Sequence, residues 1–170
     1  MSKKVSKLAE LSLLTAVALI VFVVELQIPN PFPIPGVKLG LANIITVYAV
    51  YHYRWYEVFS VVLVRVALGS LFSGNITALI YSLSGSILCL LGMLALRRFI
   101  EEKFIPLASV FGALLHNTGQ MAAALIVMQT PQILAYYPFL IVSGCLSGLF
   151  TGFLAKFVTD RVRKIKKERL

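Results

Sequence analysis

Six apolar stretches, at about residues 8–28, 39–53, 56–72, 76–96, 106–129 and 133–158, are joined by connections whose positive charge falls on one side only. A hydrocarbon core of about 30 Å is crossed by roughly 20 helical residues, so stretches of this length and spacing predict membrane-spanning helices. The second and third are short. Of 170 residues, 59% are hydrophobic and 14% charged, which leaves too little polar surface to coat a water-soluble domain. The expectation is an all-α fold: one integral membrane bundle of six transmembrane helices over residues 1–170. A short basic N-terminus (1–7) and a C-terminal tail (159–170) flank it. The first stretch runs to Ile28 without a small-residue cleavage site, so it reads as a helix of the mature bundle and not as a signal peptide.

Orientation follows from Lys and Arg. Fourteen basic residues, from Lys3, Lys4 and Lys7 through Arg54, Arg97, Arg98 and Lys103 to the tail, gather on one side, against Lys38 alone on the other. Both termini are therefore expected on the cytoplasmic face of a bacterial inner membrane. The net charge of +9 sits at termini and loops, which points to anionic lipid headgroups and away from nucleic acid. Between the first two stretches lies PNPFPIPGVK, four prolines in seven residues, which excludes a helix there and predicts a stiff outer loop or lid.

The polar residues kept inside the apolar stretches are the candidates for function. Arg65 lies mid-span, where a cation costs about 3 kcal/mol to insert, so it must face protein or a water-filled cavity. It is either a contact for an anionic ligand group or one half of a structural pair with Glu25 or backbone carbonyls. Glu25 lies near the outer end of the first stretch, within reach of Arg65 or Lys38. His116, Asn117 and Gln120 form the densest cluster; on a helix His116 and Gln120 share a face and Asn117 points about 100° away. They read either as ligand contacts or as interhelical hydrogen bonds. Asn43 and Asn75 add amides at similar depth, and His52 sits in an aromatic, basic belt where a structural role is expected. Counting from the outer ends places Glu25, Asn43, Arg65, His116 and Gln120 at one level, which suggests a cavity open to the outside.

Small residues four apart let helices approach closely in lipid. Gly144, Gly148 and Gly152 form such a face for helix packing or a partner; Ser12 and Ala16 form a weaker one. Cys89 and Cys145 have no ligand spacing and read as packing residues. The chain has no phosphate-binding GxxxxGK[ST] loop, and Asp160 is its one aspartate, so no enzyme chemistry and no cofactor are expected.

Pro35–Asn43 (PGVKLGLAN), Arg65–Gly69 with Ser73-Gly74-Asn75, Tyr81–Gly85 (YSLSG) and Leu115–Gln120 (LHNTGQ) resemble the Gx transporter family, also catalogued as heptaprenyl diphosphate synthase component I. The likeness covers residues 8–158. More distantly, six helices and the PGVKLG segment resemble the S components of energy-coupling-factor transporters. That resemblance implies capture of a small-molecule substrate from outside, and a transmembrane coupling subunit with separate ATPases as partners. S components carry an Ala-xxx-Ala face on the first helix where this chain has Ser12 and Ala16. The synthase name implies instead an accessory subunit with a prenyltransferase or flavoprotein partner, because chain elongation requires aspartate-held Mg²⁺ that one Asp cannot supply. For the ligand, Lys38 and Arg65 are expected to meet an acidic group, and Asn43, His116, Asn117 and Gln120 to supply hydrogen bonds.

Overall fold

The computed structural model describes residues 3–27, 40–74 and 76–168. Lys38, Asn75 and the proline-rich loop lie outside the described residues. The helices are α1 (Lys3–Gln27), α2 (Asn43–His52), α3 (Trp55–Ser73), α4 (Ile76–Leu96), α5 (Ile105–Met128) and α6 (Tyr137–Glu168). Short 3-10 turns, Glu102–Phe104 and Pro131–Tyr136, precede α5 and α6. Among the described residues there is no strand.

Five of these helices are long and apolar enough to cross a membrane, the signature of a multi-pass membrane protein. The sixth corrects the expectation for 39–53. At ten residues, α2 is only about 15 Å long. Its sequence, NIITVYAVYH, is apolar because α2 is surrounded by protein: Val47, Tyr48, Ala49 and Val50 are all buried. Around them pack Val58, Val62 and Val66 of α3, Leu90 and Met93 of α4, Ile105 and Ala108 of α5, and Ala155 of α6. Hydropathy alone cannot separate a buried helix from a spanning one.

A short helix inside a bundle must satisfy its terminal backbone groups without water. At its C-terminal end, Arg97 Nη1 donates to the carbonyls of Val50 (2.8 Å) and Tyr53 (3.3 Å). The cation thus meets both the free carbonyls and the negative end of the helix dipole. At the other end Glu25 is the counterpart, described below. The chain then turns through Tyr53 and Arg54 into α3, where Glu57 accepts from the Arg54 N–H at 2.8 Å as an N-terminal cap. Gly74 ends α3 in the left-handed conformation (φ 64°), its N–H reaching Ser70 O at 3.1 Å.

α5 packs most extensively against α4 and α6. The glycine face of α6 is turned to α5 throughout. A Cβ at Gly148 would fall 2.7 Å from Val110 Cα, and one at Gly152 would fall 2.5 Å from Pro106 Cα. At Gly144 the neighbour is the Asn117 amide, 2.8 Å away. Ser109 and Thr151 bond across the same seam at 3.1 Å. Ser12 and Ala16, by contrast, are exposed on α1. Beyond Val158, α6 runs as continuous helix to Glu168, so the segment read as a tail is its basic extension. The whole helix is 32 residues, about 48 Å at 1.5 Å per residue, which exceeds a hydrocarbon core of about 30 Å.

Two outcomes follow from this packing. Gly148→Val should lower stability by about 1–3 kcal/mol through overpacking, whereas Ser12→Val should leave the melting temperature in detergent unchanged. Arg97→Gln should destabilise by about 1–3 kcal/mol, because buried carbonyls at the end of α2 lose their donor. Its exposed neighbour provides the control: Arg98→Gln should have no effect in the same melts.

Candidate functional site

All six helices and the turn before α2 contribute to a polar cavity toward the end of the bundle where α1, α3 and α5 finish. Its walls include Phe22 and Glu25 of α1, Asn43 of α2, and Arg65, Gly69 and Ser70 of α3. Ser82 and Ser86 of α4, His116, Asn117 and Gln120 of α5, and Ser147 of α6 complete them. The cavity volume is ≈ 60 Å³.

Glu25 and Arg65 are each only 7% exposed. Glu25 Oε1 accepts from the Gly40 N–H at 2.5 Å. Gly40 is left-handed (φ 72°), a conformation that favours glycine, and its carbonyl accepts from the Asn43 N–H at 2.9 Å as α2 begins. The carboxylate therefore sits at the positive end of the α2 dipole. The Arg65 guanidinium donates through Nη1 to Asn43 Oδ1 (3.2 Å) and through Nη2 to Ser86 Oγ (3.3 Å). Glu25 lines the same cavity and attracts the guanidinium across it. Arg65 thus bonds directly to two neutral side chains, and the Glu25 carboxylate shares its cavity.

α5 is brought to the cavity by a glycine contact. A Cβ at Gly85 would lie 2.7 Å from the His116 carbonyl and 2.8 Å from Gln120 Cγ; one at Gly119 would lie 2.8 Å from Ser84 O. Ser84 Oγ also bonds the Gly119 carbonyl at 2.8 Å. This approach sets His116 and Gln120 into the wall. Asn117 borders the cavity too, although its amide is held by Leu140 O at 2.8 Å, tying α5 to α6. Thr118 bonds Leu114 O (2.7 Å) and the Tyr137 hydroxyl (2.8 Å), so it is a packing residue.

Of the candidate ligand contacts, Glu25, Asn43, Arg65, His116, Asn117 and Gln120 thus share one cavity, and Lys38 lies outside the described residues. His52 stacks on Tyr48, with ring centroids 4.3 Å apart, and its Nδ1 is 2.9 Å from Tyr48 O at the opposite end. Serines were missed as lining residues. Ser82 and Ser86, four apart on α4, were the available signal, since hydroxyls at that spacing share one face. Cys89 is buried and Cys145 partly so, both as free thiols. No group of three or more metal-ligating side chains occurs among the described residues.

A multi-pass helical membrane protein with a charged, hydrogen-bonding cavity inside its bundle is the class that fold and site define. Residues 14–158 match the family described as heptaprenyl diphosphate synthase component I, and the chain belongs to that family. No curated protein and no solved structure matches it.

Removing the guanidinium tests the electrostatics of the cavity. Arg65→Met removes the cation that Asn43 and Ser86 hold in the cavity beside Glu25 and should cost about 1–3 kcal/mol. Adding Glu25→Gln to Arg65→Met should recover about 1 kcal/mol or more, read as a coupling energy from unfolding in detergent. Strictly additive losses would show that the two charges do not interact.

Proposed function

We propose that this protein binds a small polar molecule in the Arg65–His116–Gln120 cavity and serves its passage across the bacterial cytoplasmic membrane. The observation that carries this reading is the meeting of six polar side chains from α1, α2, α3 and α5 in one cavity. A short helix whose N-terminus faces a buried polar site is a recurrent device of membrane transport proteins, where the helix dipole contributes to the field at the ligand. Here Arg65 adds a cation and Glu25 a carboxylate, so the fixed charges of the described lining cancel. That balance favours a neutral or zwitterionic ligand with several hydrogen-bonding groups. A prenyl diphosphate, with its multiply charged head and long apolar tail, is a poor match for such walls.

The cavity lies far from Arg54, Arg97, Arg98 and Lys103. With those residues cytoplasmic by the positive-inside rule, the site belongs to the outer half of the membrane and both termini face the cytoplasm. Capture from outside, with energy from a coupling subunit and ATPases in the manner of an S component, accords with that placement.

The family's description favours a second reading, a non-catalytic component that assembles with a prenyltransferase or flavoprotein. Asp160 pairs with Lys156 at 3.4 Å on the exposed extension of α6, where it has no second aspartate to share a Mg²⁺. The glycine face of α6 is occupied by α5, so such a partner requires another surface.

Native mass spectrometry of the protein in mild detergent should show a co-purifying small molecule. Arg65→Ala and His116→Ala variants that insert normally should retain it about tenfold less well, the loss expected for a hydrogen bond to a charged or buried polar group. Full retention by both variants overturns the site. Co-isolation with a prenyltransferase and no small molecule supports the second reading.

A further inference from the structure

A second recess lies at the other end of α3, between its first turn and that of α1. It is a broad open groove of ≈ 690 Å³. Lys4, Lys7, Leu8 and Leu11 line one side, and their spacing places all four on one face of α1. Arg54, Tyr56, Glu57 and Ser60 line the other.

The charges of the groove are unequal in what they meet. Glu57 lies 3.7 Å from Lys7 Nζ and also caps α3 through the Arg54 N–H, so its carboxylate is engaged twice. Lys7 is further held over the Tyr53 ring, 4.3 Å from its centroid. Tyr53 in turn donates to Glu10 Oε1 at 2.5 Å, and burial together with this bond raises the phenol above its ordinary value. These contacts fix the back wall. Lys4 and Arg54 are different: among the described residues neither forms an ion pair with a carboxylate. Arg54 Nη1 is steadied by the Tyr56 hydroxyl at 3.1 Å, at the rim.

The groove is also two-natured. Its polar end carries Lys4, Lys7 and Arg54 against the one carboxylate of Glu57, whereas its other end is Leu8 and Leu11, with Leu8 67% exposed. The adjoining Trp55 is 61% exposed, and an exposed Trp beside Tyr56 marks the level of the lipid headgroups. A ligand matched to both ends joins an anionic group to a hydrocarbon chain at that depth. An acidic protein segment would satisfy the cations and leave the leucines bare.

We propose that this groove seats the phosphodiester headgroup of an anionic membrane lipid, with Lys4 and Arg54 on the phosphate and Leu8 and Leu11 against the start of an acyl chain. The lipid would bridge α1 to α3 at the basic face, at the opposite end of α3 from the polar cavity and independently of what that cavity binds.

The test uses the full chain in nanodiscs of phosphatidylcholine doped with phosphatidylglycerol, with retained lipid counted by native mass spectrometry. The wild-type chain should hold phosphatidylglycerol in preference to phosphatidylcholine. Lys4→Gln combined with Arg54→Gln should lower that retention on the order of tenfold, with no change of melting temperature in neutral detergent. Arg98→Gln combined with Lys103→Gln removes the same charge elsewhere on that face and should leave retention intact. An equal fall in both double variants would mean diffuse attraction and overturn the site. So would displacement of the lipid by millimolar inorganic phosphate, because the groove would then read a free anion. Equal retention by wild type and the Lys4/Arg54 variant also rejects it.

Discussion

A ten-residue helix enclosed by five longer ones poses the problem that the rest of the molecule answers. Its N-terminal end lies within the bundle and its C-terminal end stops at exposed His52 on the basic face, and side chains from other helices meet the backbone groups at both ends. Arg97 supplies donors at the C-terminal end of α2, and Glu25 accepts from the turn at its N-terminal end. Both charges have the sign that opposes the helix dipole. With Glu25 buried for this purpose, a cation nearby becomes necessary, and Arg65 stands across the cavity, itself anchored on Asn43 and Ser86. The polar layer and the short core helix are therefore one arrangement: the groups that hold α2 in place are also the walls of the cavity.

The other half of the cavity depends on close backbone approach. Gly85 and Gly119 bring α4 and α5 together, while Gly144, Gly148 and Gly152 bring α6 onto α5. Hydrophobicity does not drive helices together inside a bilayer, so van der Waals contact and interhelical hydrogen bonds such as Ser84 to Gly119 and Asn117 to Leu140 carry the association. α1 lacks such a seam and packs chiefly on α3, with Phe22 over Gly69 on the cavity side and the Glu10–Tyr53 and Lys7–Glu57 contacts at the basic end. The N-terminal end of α1 is thus held by polar contacts at the basic face, where a bound lipid would reinforce them.

Much of this was legible in the chain. Five membrane-length helices followed from apolar runs and their spacing, and depth counting grouped Glu25, Asn43, Arg65, His116 and Gln120 before their rotations were known. The errors have one source. An apolar run reports that a segment avoids water and says nothing of whether lipid or protein replaces it. That is why 39–53 read as a span and proved to be a buried half-helix. Arg97 read as one more cytoplasmic cation, because nothing local shows that it turns back to the carbonyls of a helix 44–47 residues earlier.

By itself the sequence determined that the chain is helical and membrane-embedded, which side carries the charge, and which polar residues lie at a common depth. Those properties follow from transfer free energies and helical rise, which are local and additive along the chain. Only the tertiary structure decided that α2 begins inside the bundle, that Arg65 is held by Asn43 and Ser86, and that serines of α3, α4 and α6 join the cavity. These depend on helix rotation and on which neighbour fills each glycine notch, and both are set by contacts between residues far apart in the chain.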